Sequence, residues 1–130
     1  PVPFQPSPLR ILLLTQPISL AFSRPPEAFP FLLPVPFFGV PASTITMLGR
    51  LARITDAQVI PCFTRQLPWG RGYEIIFKPA LENFPTDDAI ADARRMNDEI
   101  EKAVSEMPEQ YFWVHKRFKT RPPGEPAFYR

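Results

Sequence analysis

The stretch Val35–Thr44, with the sequence VPFFGVPAST, places two adjacent phenylalanines before a glycine and a proline, and it ends in two hydroxyl side chains. Glycine permits a sharp turn and proline fixes its own φ, so we expect a stiff apolar loop. Ser43 and Thr44 are good helix N-caps, and a helix starting there would offer backbone N–H groups to an anion. The stretch is therefore either an apolar loop beside an anion site or an ordinary entry into a helix.

Downstream of this stretch the pattern predicts a helix and a strand pair. The helix would carry one apolar face opposite Arg50 and Arg53, made of Ile45, Leu48, Leu51, Ala52 and Ile54. Strands are predicted over Gln58–Thr64 and Tyr73–Lys78, because both are apolar and rich in β-forming residues. The loop between them contains two glycines, which favours a hairpin.

The clearest helix in the sequence begins at a cap on Thr86 or Asp87 and runs to about Met107. Its apolar positions recur at helical spacing, with Asn97 on the same stripe: Ile90, Ala93, Ile100, Val104 and Met107. The opposite face is expected to be solvated and carries Asp92, Arg95, Glu99 and Lys102. Helices and strands together predict an α/β protein.

Proline and charge divide the chain into two compositional parts. Of the 19 prolines, 11 lie in the first 41 residues, whereas 25 of the 28 charged residues follow Pro41. We therefore predict a Pro-rich irregular segment over residues 1–33, with one short strand or helical turn at Leu9–Leu14, and a folded part over residues 34–130.

Composition excludes several classes of function. The net charge of +2 is far from that of a polycation, and no run reaches the ~20 apolar residues of a membrane-spanning helix. The single Cys62 is predicted to be a small buried apolar residue, and no His, Cys, Asp and Glu cluster has metal-ligand spacing. His115, the only histidine, is followed by cations rather than by an acid, which favours a packing role over general-base catalysis.

The segment Tyr111–Arg121 interleaves aromatic residues with four Lys and Arg side chains. Three interpretations are open. The segment binds nucleic acid through stacking and phosphate contacts, it binds an anionic lipid surface, or its aromatic residues belong to the core while its cations are solvated.

Five parts of the sequence resemble, in order, the bacterial lipid A biosynthesis acyltransferases. They are Val35–Thr44, Leu51–Arg53 with Ala57–Pro61, Gly72–Ile75 with Pro79–Pro85, Asp92–Asn97, and Pro108–Pro122. The resemblance covers roughly Pro34 to Arg130 and includes the phenylalanine-glycine motif and the terminal signature of the family. It implies the C-terminal half of a glycerolipid-acyltransferase-like α/β fold.

The resemblance also implies an activity and its partners. The family moves an acyl chain from acyl carrier protein to a hydroxyl of a lipid A precursor, at the cytoplasmic face of the bacterial inner membrane. A peripheral membrane location is expected for this chain, without the family's anchoring helix. No cofactor, metal or nucleic-acid partner is implied.

The family's reaction centre is a histidine followed five positions later by an acid. Five residues after His115 stands Thr120, so no catalytic residue is assigned in this sequence, and we expect no catalysis by the chain alone. The alternative function is a non-enzymatic interaction protein with a Pro-rich arm and a basic tail.

The resemblance implies two sets of site residues. Substrate binding is expected of Phe37, Phe38, Gly39, Ser43, Thr44 and Arg65, with Gly39 allowing close approach of the backbone and Arg65 gripping a phosphate or carrier oxygen. Contact with lipid phosphates or the membrane is expected of Arg71, Lys116, Arg117, Lys119 and Arg121. Residues 1–33 do not resemble the family, so they are either an out-of-frame translation or a divergent extension. Apolar faces without partners are expected in the folded part.

Overall fold

A computed structural model of the chain describes the backbone of residues 11–14 and the whole of residues 32–129. Within these ranges, five strands and two helices follow in the order β1 Ile11–Leu14, β2 Leu32–Phe37, β3 Val40–Ile45, α1 Met47–Thr55, β4 Gln58–Gln66, β5 Tyr73–Phe77 and α2 Ala89–Glu106. Short 3₁₀ turns lie at Pro68–Gly70, Pro108–Gln110 and Trp113–His115. The α/β class is confirmed.

The stretch Val35–Thr44 forms most of an antiparallel hairpin rather than a loop leading into a helix. Strands β2 and β3 pair from Leu32↔Ile45 to Phe37↔Val40. Phe38 and Gly39 make the turn with φ of +48° and +74°, the left-handed angles of a two-residue hairpin turn. Helix α1 begins only at Met47, so the prediction that Ser43 or Thr44 caps a helix is wrong: both residues are paired in β3.

Strands β4 and β5 form the predicted hairpin, with pairs from Cys62↔Phe77 to Gln66↔Tyr73. Strand β1 pairs in parallel with β4, so the three-stranded sheet has the order β1-β4-β5. For Leu9–Leu14 the sequence predicted either a short strand or a helical turn, and residues Ile11–Leu14 form a strand. Leu9 and Arg10 lie outside the described residues. The predicted boundary between residues 33 and 34 falls inside β2.

The fully buried residues of helix α1 are small, and most of its large apolar residues are exposed. Gly49 and Ala52 are buried and Leu48 packs against the smaller core cluster, whereas Leu51 and Ile54 are exposed. The predicted apolar face is therefore right for Leu48 and Ala52 and wrong for Ile45, Leu51 and Ile54. The reason is close packing: a Cβ on Gly49 would stand 3.0 Å from Asp92 Oδ2 in α2. A helix that approaches its neighbour this closely has no room for branched side chains at the contact.

Helix α2 is capped by Asp88, one residue beyond the predicted cap. Its Oδ1 accepts the backbone N–H groups of Ile90 at 2.8 Å and Ala91 at 3.0 Å. The periodicity holds from Ala93 onward, but Ile90 is exposed. Asp92, predicted to be solvated, is buried, because its Oδ1 accepts both the N–H and the hydroxyl of Thr86 at 2.9 Å.

In the part of the chain that the structure describes, the core consists of two buried clusters. The larger one joins the β2–β3 hairpin, Phe63 of β4, the C-terminal half of α2, and the aromatic residues Tyr111 and Phe118. The smaller one packs α1 and β4 against α2 through Ala52, Val59, Leu81 and Met96. Cys62 is buried as predicted.

One face of strand β5 is not covered by other described residues. Uncovered apolar faces were expected in the folded part of the chain. Tyr73, Ile75 and Phe77 alternate along the strand and are all largely exposed. Of the helices in the described ranges, none is long and apolar enough to cross a bilayer.

Candidate functional site

The phenylalanine-glycine hairpin and the terminal segment meet around the ring of Phe37. This ring is fully buried, with its centroid 5.9 Å from that of Tyr111 and 6.1 Å from that of Phe118. The guanidinium carbon of Arg117 lies 5.2 Å from the same centroid, within range of a cation–π contact. Two motifs far apart in the sequence therefore form one structural unit.

Polar side chains beneath the hairpin make what we call the Arg117 network, consisting of Arg117, Asn97 and Thr44. Arg117 Nη2 donates to Thr44 Oγ1 and to Asn97 Oδ1, both at 3.1 Å, and Nη1 donates to the carbonyl of Ser43 at 3.2 Å. Asn97 Nδ2 donates to the carbonyl of Pro36 at 2.8 Å and to Thr44 Oγ1 at 3.3 Å. The Thr44 hydroxyl donates in turn to the carbonyl of Ala42 at 3.0 Å. The network thus ties both strands of the hairpin to α2.

Burial shapes the electrostatics of the terminal segment. It lowers the pKa of Arg117, and the nearby Tyr111 opposes that shift. It also lowers the pKa of His115, with a further contribution from the charge of Arg117. Arginine keeps its charge at neutral pH even when it is buried, so the hydrogen bonds of Arg117 to the protein offset the cost of desolvation.

The turn of the hairpin is fixed through its main chain, and the Phe38 side chain is left 43% exposed. Phe38 N–H donates to Glu101 Oε1 at 2.9 Å, and the same oxygen accepts from Arg94 Nη1 at 3.0 Å. Arg94 Nη1 also donates to the carbonyl of Pro36 at 2.7 Å. Helix α2 therefore holds the turn from one side without covering the ring of Phe38.

Gly39 is required for its backbone angle rather than for space within the protein. Apart from Gly39 and its two chain neighbours, no described residue has an atom within 4 Å of the position that a Cβ would take. Its φ of +74° is the left-handed conformation that side chains other than glycine disfavour. The open space around it leaves the backbone of the turn accessible.

Arg65 lies on β4, two residues after the buried Phe63 and on the same side of the strand. It is half-buried, and its Nη1 forms an ion pair with Oε2 of the cross-strand neighbour Glu74 at 3.1 Å. Both side chains are partly exposed, so this pair contributes little to stability. The structure places Arg65 beside the larger core cluster, outside the Arg117 network.

The other predicted cations fall into two groups. Arg121 Nη1 donates to the carbonyl of Pro41 at 2.6 Å, and Nη2 pairs with Glu125, so Arg121 adds to the fastening of the hairpin. The side chains of Arg71, Lys116 and Lys119 are exposed. Among the predicted site residues, the structure brings together Phe37, Phe38, Gly39, Ser43, Thr44, Arg117 and Arg121, and places Arg65 and Arg71 on other elements.

The aromatic residues of the terminal segment also fall into two groups, one buried and one exposed. Tyr111 and Phe118 are buried, which confirms the core interpretation for these two. Phe112, Trp113 and Val114 are exposed, so they leave an apolar surface beside Lys116. The lipid and nucleic-acid interpretations remain predictions for this exposed part.

Sequence reasoning missed three residues that hold the hairpin: Asn97, Arg94 and Glu101. A signal for the first was present, because Asn97 is the polar position on an otherwise apolar helical stripe. Arg94 and Glu101 lie seven residues apart and hence on one face of α2, a spacing that solvated helices also show. Within the described ranges no group of three His, Cys, Asp or Glu side chains is placed to hold a metal ion.

Comparison with known proteins identifies the family to which the hairpin and the terminal segment belong. Residues 33–120 match the model of the bacterial lipid A biosynthesis acyltransferase family, and the chain belongs to that family. The matched range contains the hairpin apart from Leu32, together with α2 and all three side chains of the Arg117 network.

Individual relatives agree with the family match. The chain is 45% identical over 96 residues to the lipid A biosynthesis lauroyltransferase of Escherichia coli K12, covering 73% of this chain and 31% of the relative. It is 39% identical over 95 residues to the lipid A biosynthesis palmitoleoyltransferase of the same organism, covering 72% of this chain and 31% of the relative. It is 37% identical over 91 residues to the myristoyltransferase of that organism, covering 70% of this chain and 28% of the relative. The chain thus spans less than a third of the length of these curated relatives.

Proposed function

We propose that this chain is part of an acyltransferase that moves a fatty acyl group from acyl carrier protein to a hydroxyl of a lipid A precursor. The observation that carries the proposal is the family match over residues 33–120, in which the phenylalanine-glycine hairpin and the terminal segment are packed together. The proposed setting is the cytoplasmic face of the bacterial inner membrane. This ordered match favours an acyltransferase over a non-enzymatic interaction protein.

The hairpin turn is the part of this chain that we assign to the acyl donor. Phe38 offers an exposed apolar ring on a turn fixed by Glu101, which suits contact with an acyl chain. Gly39 adds an open backbone beside it. Phe37, Ser43 and Thr44 support the turn from beneath, through the core and the Arg117 network.

The reaction itself needs groups that the resemblance places outside this chain. A base takes the proton of the acceptor hydroxyl, the oxygen attacks the thioester carbonyl, the carbon–sulfur bond breaks, and the departing thiolate takes a proton. The family's histidine and acid lie before the matched stretch, so we propose that this chain alone does not catalyse the transfer. Its role is to shape and support the donor side of the site.

The test compares this chain with a longer protein in which residues 33–130 follow the upstream part of a relative containing the histidine and the acid. With labelled acyl carrier protein and a lipid A precursor, we expect transfer by the longer protein and none by the chain alone. Transfer by the chain alone would contradict the assignment of the catalytic groups. A folded longer protein that transfers nothing would contradict the proposed function.

Arg65→Ala in the longer protein is expected to lower the kcat/KM of acyl transfer by about tenfold or more, because a charge-assisted hydrogen bond to a phosphate or carrier oxygen contributes about 1.5–3 kcal/mol. The free energy of unfolding should change by less than about 1 kcal/mol, since the pair with Glu74 is partly exposed. Steady-state kinetics and urea unfolding measure the two effects.

Glu74→Ala is the matched control for Arg65, because it breaks the same ion pair and leaves the guanidinium in place. We expect this variant to retain the parental kcat/KM. Equal losses of activity in the two variants would assign Arg65 a structural role and remove it from the substrate site.

A further inference from the structure

Two loops that are distant in sequence are joined by a pair of hydrogen bonds at the end of strand β4. The side chain of Gln110 accepts from the backbone N–H of Gln66 at 2.7 Å and donates to the backbone carbonyl of Gln66 at 3.2 Å. Gln66 leads into the turn Pro68–Gly70, and Gln110 leads into the turn Trp113–His115. The side-chain amide of Gln110 therefore pairs with the backbone of Gln66 as a neighbouring strand would. Because Gln66 is the last residue of β4, both turns lie at the same end of this strand.

Large apolar side chains project from both turns. Trp69 is 94% exposed, and its left-handed backbone, with φ of +59°, places it at the tip of the β4–β5 loop. Phe112, Trp113 and Val114 are 63%, 52% and 75% exposed. Trp113 is held in this position, because its Nε1 donates to the carbonyl of Pro108 at 2.7 Å and its ring packs edge-on against Tyr111. Three of these four side chains are aromatic, and we call the set of Trp69, Phe112, Trp113 and Val114 the aromatic end.

The charges around the aromatic end are mainly positive. Residues 67–73 and 108–119 contribute the exposed cations Arg71, Lys116 and Lys119 against a single acid, Glu109. Arg117, in the same range, is turned inward to its network and does not add to the exposed charge. Exposed apolar side chains that share their segments with exposed cations complement a bilayer interface that carries anionic headgroups.

We propose that the aromatic end docks this protein onto the surface of an anionic bilayer, with Trp69 and Trp113 at headgroup depth and Arg71, Lys116 and Lys119 against lipid phosphates. The inference deepens the membrane setting of the proposed function and rests on it. Gln110 is a positioning residue, since it fixes the two turns relative to each other and contacts no lipid. Tryptophan prefers the interface because its ring is apolar and its N–H is polar.

Intrinsic fluorescence reads this surface directly, because Trp69 and Trp113 are the only two tryptophans of the sequence. We expect a blue shift of the full chain's emission on adding vesicles of phosphatidylglycerol and phosphatidylcholine, and quenching by lipids brominated near the headgroup. Trp69→Phe and Trp113→Phe should each leave one responding tryptophan. Unchanged emission with anionic vesicles would overturn the proposal, as would a shift produced by single-stranded oligonucleotides in place of vesicles.

Charge and apolar variants test the same surface by co-sedimentation with these vesicles. The double variant Arg71→Glu/Lys119→Glu is expected to weaken binding at least about tenfold, because each cation near an anionic surface contributes about a fivefold factor. Lys102→Glu, which reverses one exposed charge on α2, and Ile54→Ala, which changes an exposed apolar site on α1, are expected to bind as the parent does. Equal losses in the controls would overturn the assignment of binding to the aromatic end.

Gln66 supplies the matched control for Gln110. The two hydrogen bonds that join these residues use the backbone of Gln66 and the side chain of Gln110, so replacing the side chain of Gln66 leaves both bonds in place. Gln110→Ala should weaken vesicle binding several-fold and shift the emission of the half-exposed Trp113 in solution, whereas Gln66→Ala should do neither. Identical behaviour of the two variants would contradict the positioning role.

Acyl transfer by the longer protein distinguishes failure of this inference from failure of the proposed function. With the lipid acceptor in detergent micelles, Trp69→Ser/Val114→Ser, which changes two exposed side chains of the aromatic end outside the substrate-contact residues, should retain parental activity. With the acceptor in vesicles, this variant should lose activity several-fold. Equal activity in both formats would overturn the docking surface and leave the acyltransferase assignment intact. Absence of transfer by the parental longer protein in detergent would contradict the proposed function itself.

Discussion

Phe37→Ala is expected to lower the free energy of unfolding by about 3–5 kcal/mol, the largest effect of any single substitution we predict. The ring is fully buried and contacts Tyr111, Phe118 and the guanidinium of Arg117, so its removal leaves a cavity where the hairpin meets the terminal segment. A domain stability of about 5–15 kcal/mol makes this loss a large fraction of the total. Urea unfolding followed by circular dichroism measures it.

Phe38→Ala is the matched control, since the neighbouring ring is exposed on the turn. We expect a stability loss below about 1 kcal/mol and, in the longer protein, weaker acyl transfer. If Phe37→Ala does not fold, Phe37→Leu keeps most of the volume and should still destabilise the chain more than Phe38→Ala does. Equal losses of stability at the two positions would contradict the packing described above.

Arg117→Ala is expected to cost about 2–4 kcal/mol of unfolding free energy, because it removes three hydrogen bonds and leaves the buried Oδ1 of Asn97 without this donor. Arg117→Lys should recover only part of the loss, since an ammonium cannot bridge the same acceptors in one plane. The measurement is urea unfolding of the two variants beside the parent.

Lys119→Ala controls for the loss of one positive charge in the same segment. This side chain is exposed, so its stability change should stay within about 0.5 kcal/mol. If Arg117 instead acts mainly by contacting lipid phosphate, Arg117→Ala would lower vesicle binding and leave unfolding unchanged. That outcome would contradict the structural role of the Arg117 network.

Local periodicity was enough to predict the β4–β5 hairpin, the long helix α2 and the α/β class. It was not enough for the β2–β3 hairpin, because Pro34, Pro36 and Pro41 count against strands in a sequence. A two-stranded sheet contains only edge strands, where a proline can turn its missing N–H outward, so the prolines are accommodated. The same pairing places Ser43 and Thr44 in a strand and removes the predicted helix start.

The candidate site was predictable as a set of motifs and not as a geometry. Family resemblance identified Phe37, Phe38 and Gly39 as important, but nothing local indicated that Phe37 is buried and Phe38 exposed. The role of Arg117 depends on acceptors 20 to 74 residues away in the sequence. Composition describes such a residue only as one more cation in a basic segment.

The distance in sequence between Thr44 and Arg117 has a consequence for the chain during its synthesis. Arg117 is added 73 residues after Thr44, which at a ribosomal rate of ~5–20 residues per second means ~4–15 seconds of translation. Throughout that interval the newly made hairpin has neither its guanidinium bridge nor the aromatic rings that cover Phe37. A nascent-chain chaperone that recognises exposed apolar side chains would therefore meet this stretch of the chain before its own C-terminal partner does.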